Sequence, residues 1–313
     1  FCFLPALLAF GLQQLISIPA VGLALLGGFY TKGATSIDDC MDAFLNIIST
    51  ANFNAGVSAA YGTVALVVFA YWYYKKFRQT EPENVRKPFN IPVIFGILIT
   101  AVGLQYITNY IVSFTAAINP HWLEYYSNLV ESVGLDEPSP ILVLYSVLIG
   151  PVCEELIFRG LTLKYAKRAM PFWVANFLQA LLFGVFHMNM IQGVYAFVVG
   201  IVLGFICEKS RSIYPSMLFH ILFNIWGTFS PDWFMYKADT VPFFFLWFFV
   251  GTGLLVAGLF LFFFGVNKNF RSHGSSHLFD TVDETKSESN ILLQFSFPAK
   301  GSGFDLKGAC PLF

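Results

Sequence analysis

Apolar residues along this chain fall into eight long runs separated by short polar stretches. We place the runs at roughly 3–30, 53–74, 90–115, 139–163, 170–187, 190–208, 213–230 and 243–266. Most approach the ~20 residues that an α-helix needs to cross the hydrocarbon core of a bilayer, whereas the fifth to seventh are shorter. The pattern predicts an all-α, polytopic membrane helix bundle of about eight transmembrane segments. We expect the short runs to pack inside the bundle or to span it only in part.

Composition agrees with a membrane protein. The 313 residues are 56% hydrophobic and 12% charged, about half the ~25% charged residues of a soluble domain. The net charge of −1 argues against a nucleic-acid partner and leaves the lipid bilayer as the expected surroundings. The five cysteines show no metal-ligand spacing, which argues against a zinc finger or a disulfide framework.

Basic residues divide unevenly between the polar stretches. One set of alternate loops carries twelve Lys and Arg residues, whereas the other set carries only Lys32 and Lys237. Cytoplasmic loops of membrane proteins carry an excess of Lys and Arg. The split therefore predicts eight crossings with both termini cytoplasmic, in a bacterial plasma membrane or in the endoplasmic reticulum.

The same pattern gives a domain organisation. Residues 1–138 hold the N-terminal transmembrane segments and an external interfacial loop over 117–138, with Trp122, Tyr125 and Tyr126 as interfacial anchors. Residues 139–230 form the candidate catalytic core, and 231–266 contain the last transmembrane helix. The polar stretch 267–313 is predicted to be a flexible cytoplasmic tail.

Three ionisable residues lie close together inside the fourth apolar run. They are Glu154, Glu155 and Arg159. A charged side chain in hydrocarbon costs at least ~2.5–3.5 kcal/mol on insertion scales, so such residues mark a functional site by default. Glu155 and Arg159 are one helical turn apart and can pair. Glu154 is rotated by about 100° from Glu155 and can face a different partner.

Two further runs supply histidines. His187 ends the fifth run, one turn after Phe183, and His220 precedes Asn224 by one turn in the seventh run. Residues four apart share one face of a helix, so His220 and Asn224 can point into the same cavity. Phe183 is expected to pack and to set the orientation of the His187 ring.

These residue types allow two kinds of chemistry. Because Arg159 serves Glu155, we expect Glu154 to be the general base that takes a proton from water. The histidines would then hold the water or donate to an oxyanion, and the neutral amide of Asn224 is suited to the second task. Alternatively, Glu154, His187 and His220 could ligate zinc, since carboxylate and imidazole are ordinary zinc ligands. The residues alone leave both versions open.

Other polar or reactive residues in these runs are expected to be structural. Asn176 and Gln179 are predicted to make helix–helix contacts, and Cys153 to be a buried, inert thiol. Small residues every fourth position predict close helix packing, at Ala196, Gly200 and Gly204. Counted from the predicted cytoplasmic ends, His187 lies ~10 Å deeper than Glu154 at a rise of 1.5 Å per residue. The two can therefore meet only if the fifth helix is displaced or tilted.

The three motifs together resemble a known family. Glu154-Glu155-x-x-x-Arg159, Phe183-x-x-x-His187 and His220-x-x-x-Asn224 follow one another on successive apolar runs, as in the CPBP family. This family contains intramembrane proteases, the Rce1-like CAAX prenyl endopeptidases among them, and bacterial Abi or bacteriocin-immunity proteins. The resemblance covers about 139–230 and implies an eight-helix bundle with a polar cavity open to the cytosol.

The resemblance implies residue roles and an activity. It gives the base to Glu154, supporting roles to Glu155 and Arg159, and site roles to His187, His220 and Asn224. The expected function is an intramembrane endopeptidase that hydrolyses membrane-anchored peptides, prenylated CAAX tails among them, with no cofactor. Two alternatives remain at this stage: a non-catalytic binding or immunity protein of the same fold, and a proton-coupled transporter built on the buried Glu, His and Arg.

Overall fold

The computed structural model describes residues 1–30, 36–78, 88–132, 139–229 and 241–294, with side chains through residue 268. Every regular element in these ranges is a helix, so the all-α prediction is confirmed. In chain order they are α1 Leu4–Phe29, α2 Ile37–Ile48, α3 Ala51–Lys76, α4 Ile91–Ile118, α5 Pro120–Ser132, α6 Pro140–Ala166, α7 Phe172–Phe186, α8 Met190–Ser210, α9 Ile213–Phe229 and α10 Val241–Gln294.

Each of the eight apolar runs forms one helix, but the helices differ in their capacity to span a bilayer. Among the described residues, six are long and apolar enough to cross: α1, α3, α4, α6, α8 and the part of α10 through Lys268. The helix α7 has 15 residues and α9 has 17, fewer than the ~20 needed. A polytopic helical bundle is thus confirmed, whereas the number of eight crossings stays a prediction.

Two shorter helices precede the site-bearing segment. A capping box starts α2: the Ser36 hydroxyl accepts from the Asp39 amide at 3.1 Å, and the Asp39 carboxylate accepts from the Ser36 amide at 2.9 Å. Such reciprocal bonds satisfy two amides that a helix start otherwise leaves unpaired. The helix α5 occupies most of the stretch predicted to be interfacial, and residues 133–138 lie outside the described ranges.

The helices α7 and α8 form a tight hairpin that brings the site-bearing segments together. A Cβ placed on Gly184 would lie 2.5 Å from the Gly193 carbonyl oxygen, and one on Gly204 would lie 1.8 Å from the Asn176 Oδ1. Neither position has room for a side chain. The predicted close-packing stripe on α8 is therefore confirmed at Gly200 and Gly204, which pack against α7.

The last helix, α10, also packs closely against glycines, here those of α4. Cβ atoms on Gly96 or Gly103 would lie 2.4 Å from backbone atoms of α10. Asn90 fixes the start of α4, because its side chain accepts from the Val93 amide at 2.8 Å and donates to the Gly265 carbonyl at 2.7 Å.

The chain divides into two compact units, Phe1–Lys268 and Asn269–Phe313. All site residues considered below belong to the first. In the second, the backbone is helical as far as Gln294, and residues 295–313 lie outside the described ranges. The domain boundaries predicted from the sequence stay predictions, including the tail that begins at 267.

Candidate active site

The helix α6 changes its winding on both sides of the two glutamates. Glu154 and Glu155 lie in an α-helical turn, Gly150–Glu155, between two π-helical segments, Tyr145–Ile149 and Leu156–Leu163. Pro151 gives a cause for the first widening: a proline ring clashes with the carbonyl four residues earlier, here that of Val147. Widened turns of this kind are frequent at functional sites.

Glu155 and Arg159 form a fully buried ion pair. The Arg159 Nη1 donates to the Glu155 Oε1 at 2.8 Å, and both side chains are 0% exposed. The Arg159 Nη2 donates to the Gly200 carbonyl at 3.4 Å, and the guanidinium lies over the Phe183 ring at 4.4 Å from its centroid. Two buried charges are tolerable only when each is well paired. The pairing predicted from the sequence is confirmed.

His220 connects the two glutamates. Its Nδ1 lies 3.0 Å from the Glu155 Oε1, and its Nε2 lies 3.6 Å from the Glu154 Oε2. An ionised carboxylate only accepts hydrogen bonds, so the Nδ1 must carry the proton that it donates to Glu155. That bond fixes the ring and directs the Nε2 toward Glu154.

The two carboxylates differ in how far they are exposed at the surface of the protein. The Glu154 side chain is 22% exposed, whereas that of Glu155 is 0% exposed and that of His220 is 5% exposed. Of the two carboxylates, Glu154 is therefore the one that can meet a water molecule or a substrate directly. Because 3.6 Å is longer than a hydrogen bond, one water molecule could bridge Glu154 and His220.

His187 occupies the end of α7, where the chain reverses. Its Nδ1 lies 2.8 Å from the Phe183 carbonyl oxygen, an acceptor, so the Nδ1 carries the proton and the Nε2 remains an acceptor. Met188 takes a left-handed conformation at φ 56°, and the Asn189 side chain donates to the His187 carbonyl at 3.0 Å. Phe183 contacts the rings of both His187 and His220, so the end of α7 lies beside α9, whereas the depth of His187 relative to Glu154 stays a prediction.

Phe183 lies at the centre of this group. It is 2% exposed, and its ring meets those of His187 and His220 edge-on at centroid distances of 5.0 and 5.7 Å. The Arg159 guanidinium lies over the same ring, so Phe183 contacts the buried cation as well as both histidines. The sequence predicted a packing role beside His187, and the structure adds the contacts with His220 and Arg159.

Asn224 points back to the glutamate-bearing helix. Its Nδ2 donates to the Ser146 carbonyl at 2.8 Å, in the first π-helical segment. An amide group has two N–H donors, so one remains for a substrate. Sequence reasoning placed Asn224 in the site but missed Ser146 and Pro151. A proline inside an apolar run was the signal that could have found them.

Residues expected to be structural make structural contacts. The Asn176 side chain donates to the Ile201 carbonyl at 3.0 Å, and that of Gln179 donates to the Gly200 carbonyl at 2.9 Å. Cys153 is 2% exposed, and its thiol lies 3.4 Å from the Gly62 carbonyl. All three hold neighbouring helices together.

The donor geometry bears on the zinc alternative. Within the described ranges, no group of three or more His, Cys, Asp or Glu side chains is arranged to hold a metal ion. Glu154, His187 and His220 are thus not drawn together as a ligand set in this structure. A separate cavity of about 420 Å³ contains none of the site residues; it is lined by Tyr110, Ser113, Phe114, Phe244, Phe245 and Phe248.

Comparison with known proteins identifies the segment that carries the site. Residues 136–226 match the family described as Type II CAAX prenyl endopeptidase Rce1-like. Over this segment the chain is similar to the Rce1-like family. The resemblance to the CPBP family is confirmed over this part of the chain, which contains all seven residues of the three motifs: Glu154, Glu155, Arg159, Phe183, His187, His220 and Asn224.

A second similarity is to a bacterial protein. The Bacillus subtilis (strain 168) protein named "Putative membrane peptidase YdiL" is 22% identical over 85 residues, which are 27% of this chain. The match spans 35% of that protein's length. No solved structure matches the chain. The six apolar helices, together with the similarity to the Rce1-like family, indicate an integral, multi-pass membrane protein.

Proposed function

We propose that this protein is an intramembrane endopeptidase that hydrolyses peptide bonds of membrane-anchored substrates with water activated by Glu154. The observation that carries the proposal is the order Glu155–His220–Glu154: a buried carboxylate orients a histidine, which in turn faces a carboxylate open to solvent. A base, an oriented donor and access for water are what amide hydrolysis requires.

The mechanism follows from these positions. Glu154 takes a proton from water while the water oxygen bonds to the peptide carbonyl carbon. The free N–H of Asn224 donates to the resulting oxyanion. His220 donates to it through Nε2 when the ring carries a second proton besides the Nδ1 proton given to Glu155, and His187 orients the water through its Nε2. When the tetrahedral intermediate collapses, the C–N bond breaks and Glu154 passes its proton to the leaving amine. No step requires a metal ion, and we expect a chelator to leave turnover unchanged.

The proposed substrates are lipidated tails, with prenylated CAAX peptides first among them. The matching family is described as a CAAX prenyl endopeptidase family, and a lipid anchor would hold the scissile bond at a site inside the membrane. We also propose that both termini face the cytoplasm, from the bias of Lys and Arg between alternate loops. Labelling of terminal tags in sealed vesicles tests that orientation.

The decisive experiment compares purified variants in lipid on a farnesylated C-a-a-X reporter peptide. We expect Glu154→Gln to lower kcat by at least ~100-fold, the usual contribution of a general base. Glu124→Gln is the matched control, because the Glu124 side chain is 70% exposed and pairs with His121 on α5, not with a residue of the candidate site. Turnover retained by folded Glu154→Gln would overturn the mechanism. Failure of folded wild type to cleave prenylated or unprenylated membrane peptides would overturn the proposed activity.

A further inference from the structure

The first π-helical segment of α6 leaves one carbonyl group without its helical partner. In a regular α-helix, the Ser146 carbonyl would accept from the Gly150 amide, but that amide instead donates to the Tyr145 carbonyl. In the wider register the donor for Ser146 would be residue 151, which is Pro151 and has no N–H. The Ser146 carbonyl is therefore orphaned by the sequence of its own helix.

Asn224 supplies the missing donor from another helix. Its Nδ2 lies 2.8 Å from the Ser146 oxygen. Inside hydrocarbon no water molecule can donate to a backbone carbonyl, so a side-chain donor is strongly favoured there. Asn224 lies one turn after His220 on α9, and Ser146 lies about two turns before Glu154 on α6. The same two helices are thus joined at two levels, by His220 with the glutamates and by Asn224 with Ser146.

We propose that Asn224 is a positioning residue: it replaces the N–H that Pro151 cannot give to Ser146, and so holds the widened turn that aims Glu154 at His220. This role is additional to any donation to the oxyanion, since the second N–H of the amide is not used by Ser146. The inference rests on the proposed function for its catalytic consequence, but the hydrogen bond itself can be tested without turnover.

A double-variant cycle separates the two roles. Asn224→Ala should raise the hydrogen-exchange rates of the amides in 150–155, lower the thermal unfolding midpoint, and lower kcat by about 100-fold with little change in KM, as expected for a misplaced catalytic group. In a Pro151→Ala background, Ser146 regains a backbone donor from residue 150 or 151. The effect of Asn224→Ala on exchange and on unfolding should then largely disappear.

The matched control is Asn90→Ala, which removes another asparagine-to-carbonyl bond between helices, from α4 to α10. Pro151→Ala should not reduce its effect. If Asn224→Ala does not accumulate in the membrane, the double variant with Pro151→Ala must restore accumulation.

A loss of kcat with unchanged exchange and unfolding would overturn the positioning role and assign Asn224 to the oxyanion alone. A penalty for Asn224→Ala that is equal in both backgrounds would also overturn it. If the protein lacks the proposed protease activity, the hydrogen-exchange and thermal-unfolding measurements still test whether Asn224 holds the widened turn.

Discussion

Two helices of nearly equal apolarity, α1 and α6, have opposite relations to their surroundings. The most apolar stretch of α6 has a higher mean hydropathy than that of α1, although α6 carries Glu154, Glu155 and Arg159. Yet 44% of the most apolar stretch of α6 is buried inside the protein, against 6% for α1. On α1, Leu15 is 68% exposed and Leu23 is 69% exposed.

The comparison shows that the position of a helix, and not its average apolarity, decides which side chains it can carry. Among the described helices, three cover the polar face of α6: α7 with Phe183, α8 with Gly200 and α9 with His220. The helix α1 has no such cover over most of its length and no ionisable residue. Buried charge is tolerated in α6 because protein groups replace the water that the charges would lose.

The largest expected change in stability comes from breaking the buried pair on α6. Glu155→Gln leaves the Arg159 guanidinium without its counter-ion and should lower the free energy of unfolding in mixed micelles by ~3–5 kcal/mol. Replacing both partners, as in Glu155→Gln with Arg159→Met, should recover much of this loss, because no unpaired charge remains. The more exposed pair of Lys167 and Glu208 is the control, and Lys167→Ala should cost less than ~1 kcal/mol. Similar costs for the buried and the exposed pair would contradict the burial argument.

The second test places a charge where the structure offers no protein partner. Leu15 lies mid-way along α1 and is 68% exposed. Leu15→Arg should therefore face lipid and reduce membrane insertion by ~2.5–3.5 kcal/mol. The measurement is the fraction of α1 that inserts in a glycosylation-mapping assay, with Leu15→Met as the size-matched control. Equal insertion of the two variants would mean that α1 is covered by protein or does not cross the bilayer.

The smallest effect is expected from adding one methyl group to each region. Gly204→Ala on α8 has no room for its Cβ and should destabilise the protein by ~1–3 kcal/mol. Gly22→Ala on α1 meets no atom within 4 Å, and should be neutral or stabilising by up to ~1 kcal/mol because alanine is the better helix former. Thermal unfolding of the two variants in the same detergent checks the difference. A smaller penalty at position 204 than at position 22 would contradict the observed packing of α7 against α8.

The sequence was enough to select the residues of the candidate site, but it did not predict all the contacts between them. Charged residues in an apolar run pointed to Glu154, Glu155 and Arg159, and helical spacing paired the last two correctly. The apolar run of α6 predicts a regular helix, and regular geometry contains no π-helical segments. The orphaned carbonyl of Ser146 is therefore not visible in the sequence pattern.

Contacts between distant segments were equally out of reach. Phe183 was expected to serve only His187, because a four-residue spacing is visible in the sequence and a contact with His220 on another helix is not. The sequence left zinc binding by Glu154, His187 and His220 open, because it shows only which ligand types are present. Whether the three side chains come close enough to bind one metal ion depends on how their helices pack.

The sequence by itself determined that this chain is an all-α membrane protein with its candidate chemistry on α6, α7 and α9. That information is local: apolar run length, helical spacing and the cost of charge in hydrocarbon each depend on neighbouring residues. Only the tertiary structure decided that Glu155 is sealed while Glu154 stays open to solvent, since two adjacent residues differ in exposure only through what packs against each. The contact of His220 with Glu155 and the bond from Asn224 to Ser146 likewise join segments that are far apart in the chain, so local sequence patterns do not show them.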